Sequence, residues 1–105
     1  MAPDGVLFGG FRGEEITAAI AIQISPYFWT SQRTGQRYAS DLFFVSKRAG
    51  DGLRVLRAAV DWAFQQPRVI ECTFGVSSGA DQGRHDALYA RVGAKRIGEM
   101  YMVTK

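Results

Sequence analysis

The residues best suited to chemistry lie between positions 47 and 57. Lys47, Arg48, Arg54 and Arg57 face one carboxylate, Asp51, and the run is broken by Gly50 and Gly52. An apolar segment, Leu42–Val45, ends just before it, and a helical pattern starts at Leu53. Glycine lets main-chain N–H groups turn toward a ligand and come close. The first N–H groups of a helix lack internal partners, and the helix dipole adds positive potential there. A pyrophosphate fits that combination. A plain tight turn with a solvated helix face is the bland alternative. The run is not a Walker loop, because no Gly-Lys-Ser/Thr follows. It is also a poor dinucleotide fingerprint, because Val55 stands where a third glycine is needed.

The rest of the composition mostly excludes. One cysteine, Cys72, and one histidine, His85, leave no disulfide framework, no cysteine zinc site and no His/Cys metal cluster. Cys72 reads as a buried strand residue and His85 as a solvent-facing one. Thirteen basic residues, ten of them Arg, against ten acidic ones give a net charge of +3. Arg grips planar anions bidentately, but +3 is small for a duplex binder and no nucleic-acid motif is present. A basic binder built on Arg33, Arg37 and Tyr27–Trp29 is therefore set aside. No apolar run reaches ~18 residues, so no transmembrane helix is expected. Met1–Gly5 does not resemble a signal peptide. With 105 residues, 47% of them hydrophobic, the chain is expected to form one small domain, 1–105, in the cytoplasm.

The elements that must position these residues alternate between two periods. Val6–Phe11 reads as a strand kinked at Gly9 and Gly10. Arg12–Glu15 is a tight connection, and Ile16–Ile24 is a second strand ended by Pro26. Arg37–Ser46 is a third. Its continuous run Leu42-Phe43-Phe44-Val45 predicts a central strand buried on both faces. Leu53, Leu56, Val60 and Phe64 recur at helical spacing until Pro67. Val69–Val76 is a fourth strand. Asp81 would cap a second helix running to Val92, with Gly93 at its C′ position. Ile97–Val103 is a last strand. The predicted order is β-β-β-α-β-α-β, an α/β or α+β layer structure.

These landmarks together resemble the GNAT superfamily of N-acetyltransferases. Its acyl-CoA loop reads Gln/Arg-x-x-Gly-x-Gly/Ala, and here Lys47, Gly50 and Gly52 fall on that pattern, or Arg48 takes the place of the arginine in a shifted loop. The Leu88-Tyr89-Ala90-Arg91-Val92-Gly93 run is similar to the family's C-terminal Leu-Tyr-x-x-x-Gly, although Gln82 stands where an Asn is usual. Asp41–Ala59 looks especially like the short GNAT-like proteins of bacteriophages, which would place the chain in a host cytoplasm. The resemblance runs from Val6 to the end and lacks the usual N-terminal strand and two helices. It implies a truncated fold whose mixed sheet splays between the Leu42 and Val69 strands.

The resemblance also implies a mechanism. Acetyl-CoA, or another acyl-CoA, would enter the splay as cosubstrate, without a metal. Amides near Phe44 and Val45 would meet the thioester carbonyl. The segment Lys47, Arg48, Ala49, Gly50, Asp51, Gly52, Leu53 would hold the pyrophosphate. Tyr89 would protonate the departing thiolate. Glu71 is the preferred general base among Glu71, Asp41, Glu99 and Tyr101. The acceptor would be a small-molecule or peptide amine. A homodimer is expected, with Tyr27–Trp29 as its contact or as a core cap. The alternative is a degenerate module that binds CoA, or nothing, without turnover.

Overall fold

The computed structural model describes residues 5–27, 35–75, 82–97 and 100–105. Its elements are β1 (Gly5–Arg12), β2 (Glu15–Pro26), β3 (Arg37–Ser46), α1 (Ala49–Gln65), β4 (Val69–Gly75), α2 (Gln82–Arg91), β5 (Lys95–Ile97) and β6 (Met100–Thr104). They form one six-stranded mixed sheet in the order β1-β2-β3-β4-β6-β5. Only β3 and β4 run parallel. The expected α+β class holds. The single strand expected at the C-terminus is instead an antiparallel pair, β5 and β6. Asp81, Val76, Phe28, Trp29, Arg33 and Glu99 lie outside the described residues.

Local chemistry explains the turns. β1 and β2 meet in a two-residue hairpin whose first residue, Gly13, has φ +62. A tight turn of that hand needs a residue free of a Cβ. The expected kink near Gly9–Gly10 is a register shift between Gly10 and Phe11, which leaves Thr17 of β2 unopposed. α2 ends at Arg91, and Gly93 takes φ +81 as a helix-terminating residue should. α1 ends at Gln65, two residues before Pro67.

Both helices cover one face of the sheet. Val55, Leu56, Ala59, Val60 and Ala63 of α1, with Leu88 and Tyr89 of α2, pack on Ile20, Ile22, Ile24, Phe44, Cys72 and Phe74. Across β1–β3 no helix among the described residues covers the opposite face. Here the reading of β3 needs correcting. The strand is central, but in Leu42–Val45 only Phe44 is buried; Leu42, Phe43 and Val45 are 64%, 43% and 49% exposed. A run apolar on both sides has helices on one side only.

Candidate functional site

The helix α1 begins earlier than the periodicity indicates. Arg48 is its N-cap residue, in an extended conformation, and Ala49 is its first helical residue. Gly50, Asp51 and Gly52 are therefore first-turn residues, not a loop ahead of the helix. The reason lies in the sheet. The Lys47 amide donates to the Thr17 carbonyl at 2.7 Å and the Ser46 hydroxyl donates to the Arg48 carbonyl at 2.9 Å. The Asp51 carboxylate turns inward to β1 and β2. It accepts from Arg12 Nε and Nη2 at 3.1 and 3.2 Å and from the Thr17 hydroxyl at 2.5 Å. Those donors hold it at a pKa of about 2.

This correction narrows the anion site. The Gly52 amide bonds to the Arg48 carbonyl at 2.9 Å, the first turn of the helix ladder. Gly52 and Leu53 thus have no amide to offer a ligand. The amides of Ala49, Gly50 and Asp51 precede the first ladder bond, and no side chain caps the helix. Ala49 and Gly50 are exposed, and a Cβ on Gly50 would meet nothing within 4 Å. Gly52 serves packing: a Cβ there would come within 2.3 Å of Ser46 Oγ and 3.0 Å of Leu88 Cδ1. Lys47 reaches Glu15 at 3.3 Å, and Arg48 is exposed.

The strand leading into this helix parts from its neighbour. β3 and β4 are paired from Arg37 to Ser40 against Val69 to Thr73, and the ladder stops there. β3 continues for six more residues, about 20 Å at the usual rise, beyond the end of its ladder with β4. Two features hold the strands apart. Leu42 is an extra residue against β2, since Ala21 faces Phe43 while Ile22 faces Asp41. The Asp41 carboxylate then accepts the Gly75 amide at 2.9 Å, a bond that regular pairing would give to main chain. Burial pushes the Asp41 pKa up, against the lowering effect of that amide. Consecutive amides of a strand point to opposite edges, so one of Phe44 and Val45 directs its N–H into the opening.

Tyr89 sits over the opening on the helix side. Its ring lies 5.9 Å from Phe44 of β3, 5.2 Å from Phe74 of β4 and 4.5 Å from Tyr101 of β6. The Tyr101 hydroxyl is buried without a hydrogen-bond partner among the described residues. Glu71 occupies the other face, opposite Tyr38 and one residue from Cys72. It accepts a hydrogen bond from the Tyr27 hydroxyl, and the Tyr27 ring packs 5.0 Å from Tyr38. Burial, then the Glu71 contact, raises the Tyr27 pKa well above that of a free phenol. Cys72 is buried, and desolvation pushes its thiol up to about 12, so it is a poor nucleophile. Among the described residues no group of His, Cys, Asp and Glu could hold a metal ion. None of the helices among them is long and apolar enough to cross a membrane.

The structure brings Phe44, Val45, Arg48, Ala49, Gly50 and Tyr89 to one split and its mouth, and sets Glu71 on the far face. Sequence reasoning missed Arg12 and Thr17, which anchor the helix start, and the wedge role of Asp41. The β-hairpin placing Arg12 and Thr17 was legible; its register against Asp51, 34 to 39 residues away, was not.

No family model matches the sequence, and no curated protein matches it either. Solved structures do. Arabidopsis thaliana NAA60 in complex with acetyl-CoA aligns with a TM-score of 0.63 at 11% identity, over 88% of this chain and 67% of that one. A proposed acetyltransferase from Agrobacterium tumefaciens strain C58 aligns at 0.61 and 22% identity, over 91% and 65%. At such identities the likeness shows the fold: this chain has a truncated GNAT-like architecture spanning about two thirds of each neighbour.

Proposed function

We propose that the chain is an acyl-CoA-dependent N-acyltransferase. One observation carries the reading: the uncapped first turn of α1 and the parting of β3 from β4 share the end of one strand, with a tyrosine over the gap. A site for a long ligand with an anionic middle and a reactive end needs that sequence of features. The crystallised neighbour that holds acetyl-CoA has the same fold.

Acyl-CoA would supply an acyl group activated as a thioester. The amides of Ala49, Gly50 and Asp51 would hold its pyrophosphate, with Arg48 adding charge at the rim. The N–H of Phe44 or Val45 that faces the opening would donate to the carbonyl oxygen as it gains negative charge. An amine arriving from the bare face would attack directly, so no protein nucleophile is required. Glu71, on that face, would take the ammonium proton through water. Tyr89, on the helix side, would give its proton to the departing sulfur. The acceptor would be a small-molecule or peptide amine.

The bare face also favours a second reading, a module that binds CoA without turnover, because the described residues build no wall for an acceptor there. Two measurements decide. Millimolar acetyl-CoA should raise the melting temperature by mass action; a flat response removes both readings. Thiol release over a panel of amines should then be seen, and Tyr89→Phe should slow it while keeping the thermal shift. A shift without release for any amine leaves the binding module.

A further inference from the structure

The sheet face away from the helices carries Leu7, Phe11, Ile16, Leu42, Phe43 and Val45, each between 43% and 65% exposed. Strand register makes them one surface. Leu7 lies across from Ala21, which faces Phe43; Gly9 lies across from Ala19, which faces Val45; Phe11 pairs with Ile16. None of these residues is charged. With about 150–250 Å² for a large side chain, the six leave roughly 600 Å² of apolar surface in water. That is the top of the range for the largest patch on a monomer, about 300–600 Å². It approaches the ~800 Å² that each partner contributes to a standard interface.

The surface also has a shape. In the middle of this surface β2 presents Ala19 and Ala21, between Leu7 and Gly9 of β1 and the larger Phe43 and Val45 of β3, and the Phe11–Ile16 pair closes one end. The result is a trough about two strand spacings wide, ~9.6 Å. It widens into an open groove of about 570 Å³ bounded by Leu7, Ala21, Gln23, Ser25 and Leu42. A ridge running beside a trough is complementary to its own copy after a two-fold rotation. The six residues of the patch carry no charge, so nothing within it opposes such a pairing.

We propose that a second copy of this chain covers the face, forming a two-fold dimer in which the β3 ridge of each protomer lies in the β2 trough of the other. The two sheets then pack about 10 Å apart, as in a sandwich. The pairing explains why Leu42–Val45 is apolar on both sides. It stands independently of the acyltransfer reading, although it sets the second copy beside Glu71 and Tyr27.

Sedimentation equilibrium of the full chain, from low to high micromolar, tests it. The expected high-concentration species has twice the 11.6 kDa mass of one chain. A single-chain mass at every concentration overturns the proposal. Leu42→Arg with Phe43→Glu should return the monomer with an unchanged circular dichroism spectrum. Leu7→Arg, on the other ridge, gives the same test should the first pair fail to fold. A dimer that persists undiminished in these variants runs through a sheet edge and overturns the proposal. Ala19→Phe separates shape from stickiness: it adds apolar surface but fills the trough. The dimer should weaken at least tenfold, and a tighter one contradicts the ridge-in-trough arrangement.

Discussion

The two faces of the sheet are built from the same kinds of residue and have opposite fates. On the helix side Ile20, Ile22, Phe44 and Phe74 are at most 1% exposed. On the other side Leu7, Phe11 and Leu42 are more than 60% exposed. Phe43 and Phe44 make the contrast in adjacent positions, because alternate residues of a strand face opposite ways. Periodicity reports which residues could be buried; the supply of covering elements decides which are. Two helices can cover one face of a six-stranded sheet, and one of them, α2, carries Tyr89.

The largest effect should separate those neighbours. Phe44→Ala deletes a fully buried ring between β3 and α2 and should cost about 3–5 kcal/mol. Phe43→Ala should stay within about 0.5 kcal/mol in dilute solution. Urea unfolding at low concentration measures both. Equal losses would mean that the far face is already covered in the monomer.

The second contrast is between Gly52 and Gly50, two residues apart on one helix turn. A Cβ at Gly52 meets Ser46 and Leu88, so Gly52→Ala should destabilise by about 1–3 kcal/mol. Ser46→Gly should relieve part of that, giving a double variant less destabilised than the two single losses added. Additive losses would show that the contact with Ser46 is not the cause. Gly52 is thus a poor position for testing ligand binding, whatever the motif reading implies.

That pair also shows what the sequence could reveal. The strands of the hairpin, the α1 stripe and the α2 terminator were legible, because each rests on local periodicity or on one motif; the split between the third and fourth strands came only with the family resemblance. The start of α1 was not. A Gly-Asp-Gly string has low helix propensity, and in the first turn that starts at Ala49 the Asp51 carboxylate is bound by Arg12 and Thr17 from a hairpin far away in sequence. The Asp41 wedge was equally hidden: its partner is a main-chain amide of Gly75, and residue type says nothing about that. The final hairpin reads as one strand because β5, Lys95–Ile97, is three residues long with two of them charged, too short to show an alternation.

A third prediction follows from Asp51. Its folded-state pKa of about 2 lies below the ~3.9 of an unfolded aspartate. A depressed pKa gives stability that is fully present above the unfolded value and lost as pH falls through the folded one. The parent chain should therefore lose stability between pH 5 and 2 more steeply than Asp51→Asn does. Denaturant midpoints across that range check it, and parallel curves would mean that Arg12 and Thr17 do not hold the carboxylate in solution.

The smallest effect belongs to Gly50. Its missing Cβ would point into open space, so Gly50→Ala introduces no clash. Alanine exceeds glycine by up to about 1 kcal/mol inside a helix, and less in a first turn, where fewer ladder bonds depend on the residue. The variant should gain a few tenths of a kcal/mol by urea unfolding. Its main-chain amide is unchanged, so acetyl-CoA should still raise its melting temperature under the proposed function. Gly50→Glu keeps the same space and adds a negative charge beside the three open amides. It should unfold like the alanine variant but lose at least tenfold in acetyl-CoA affinity. If both variants bind equally, the anion does not sit at this helix end, and the difference between the two glycines is one of packing alone.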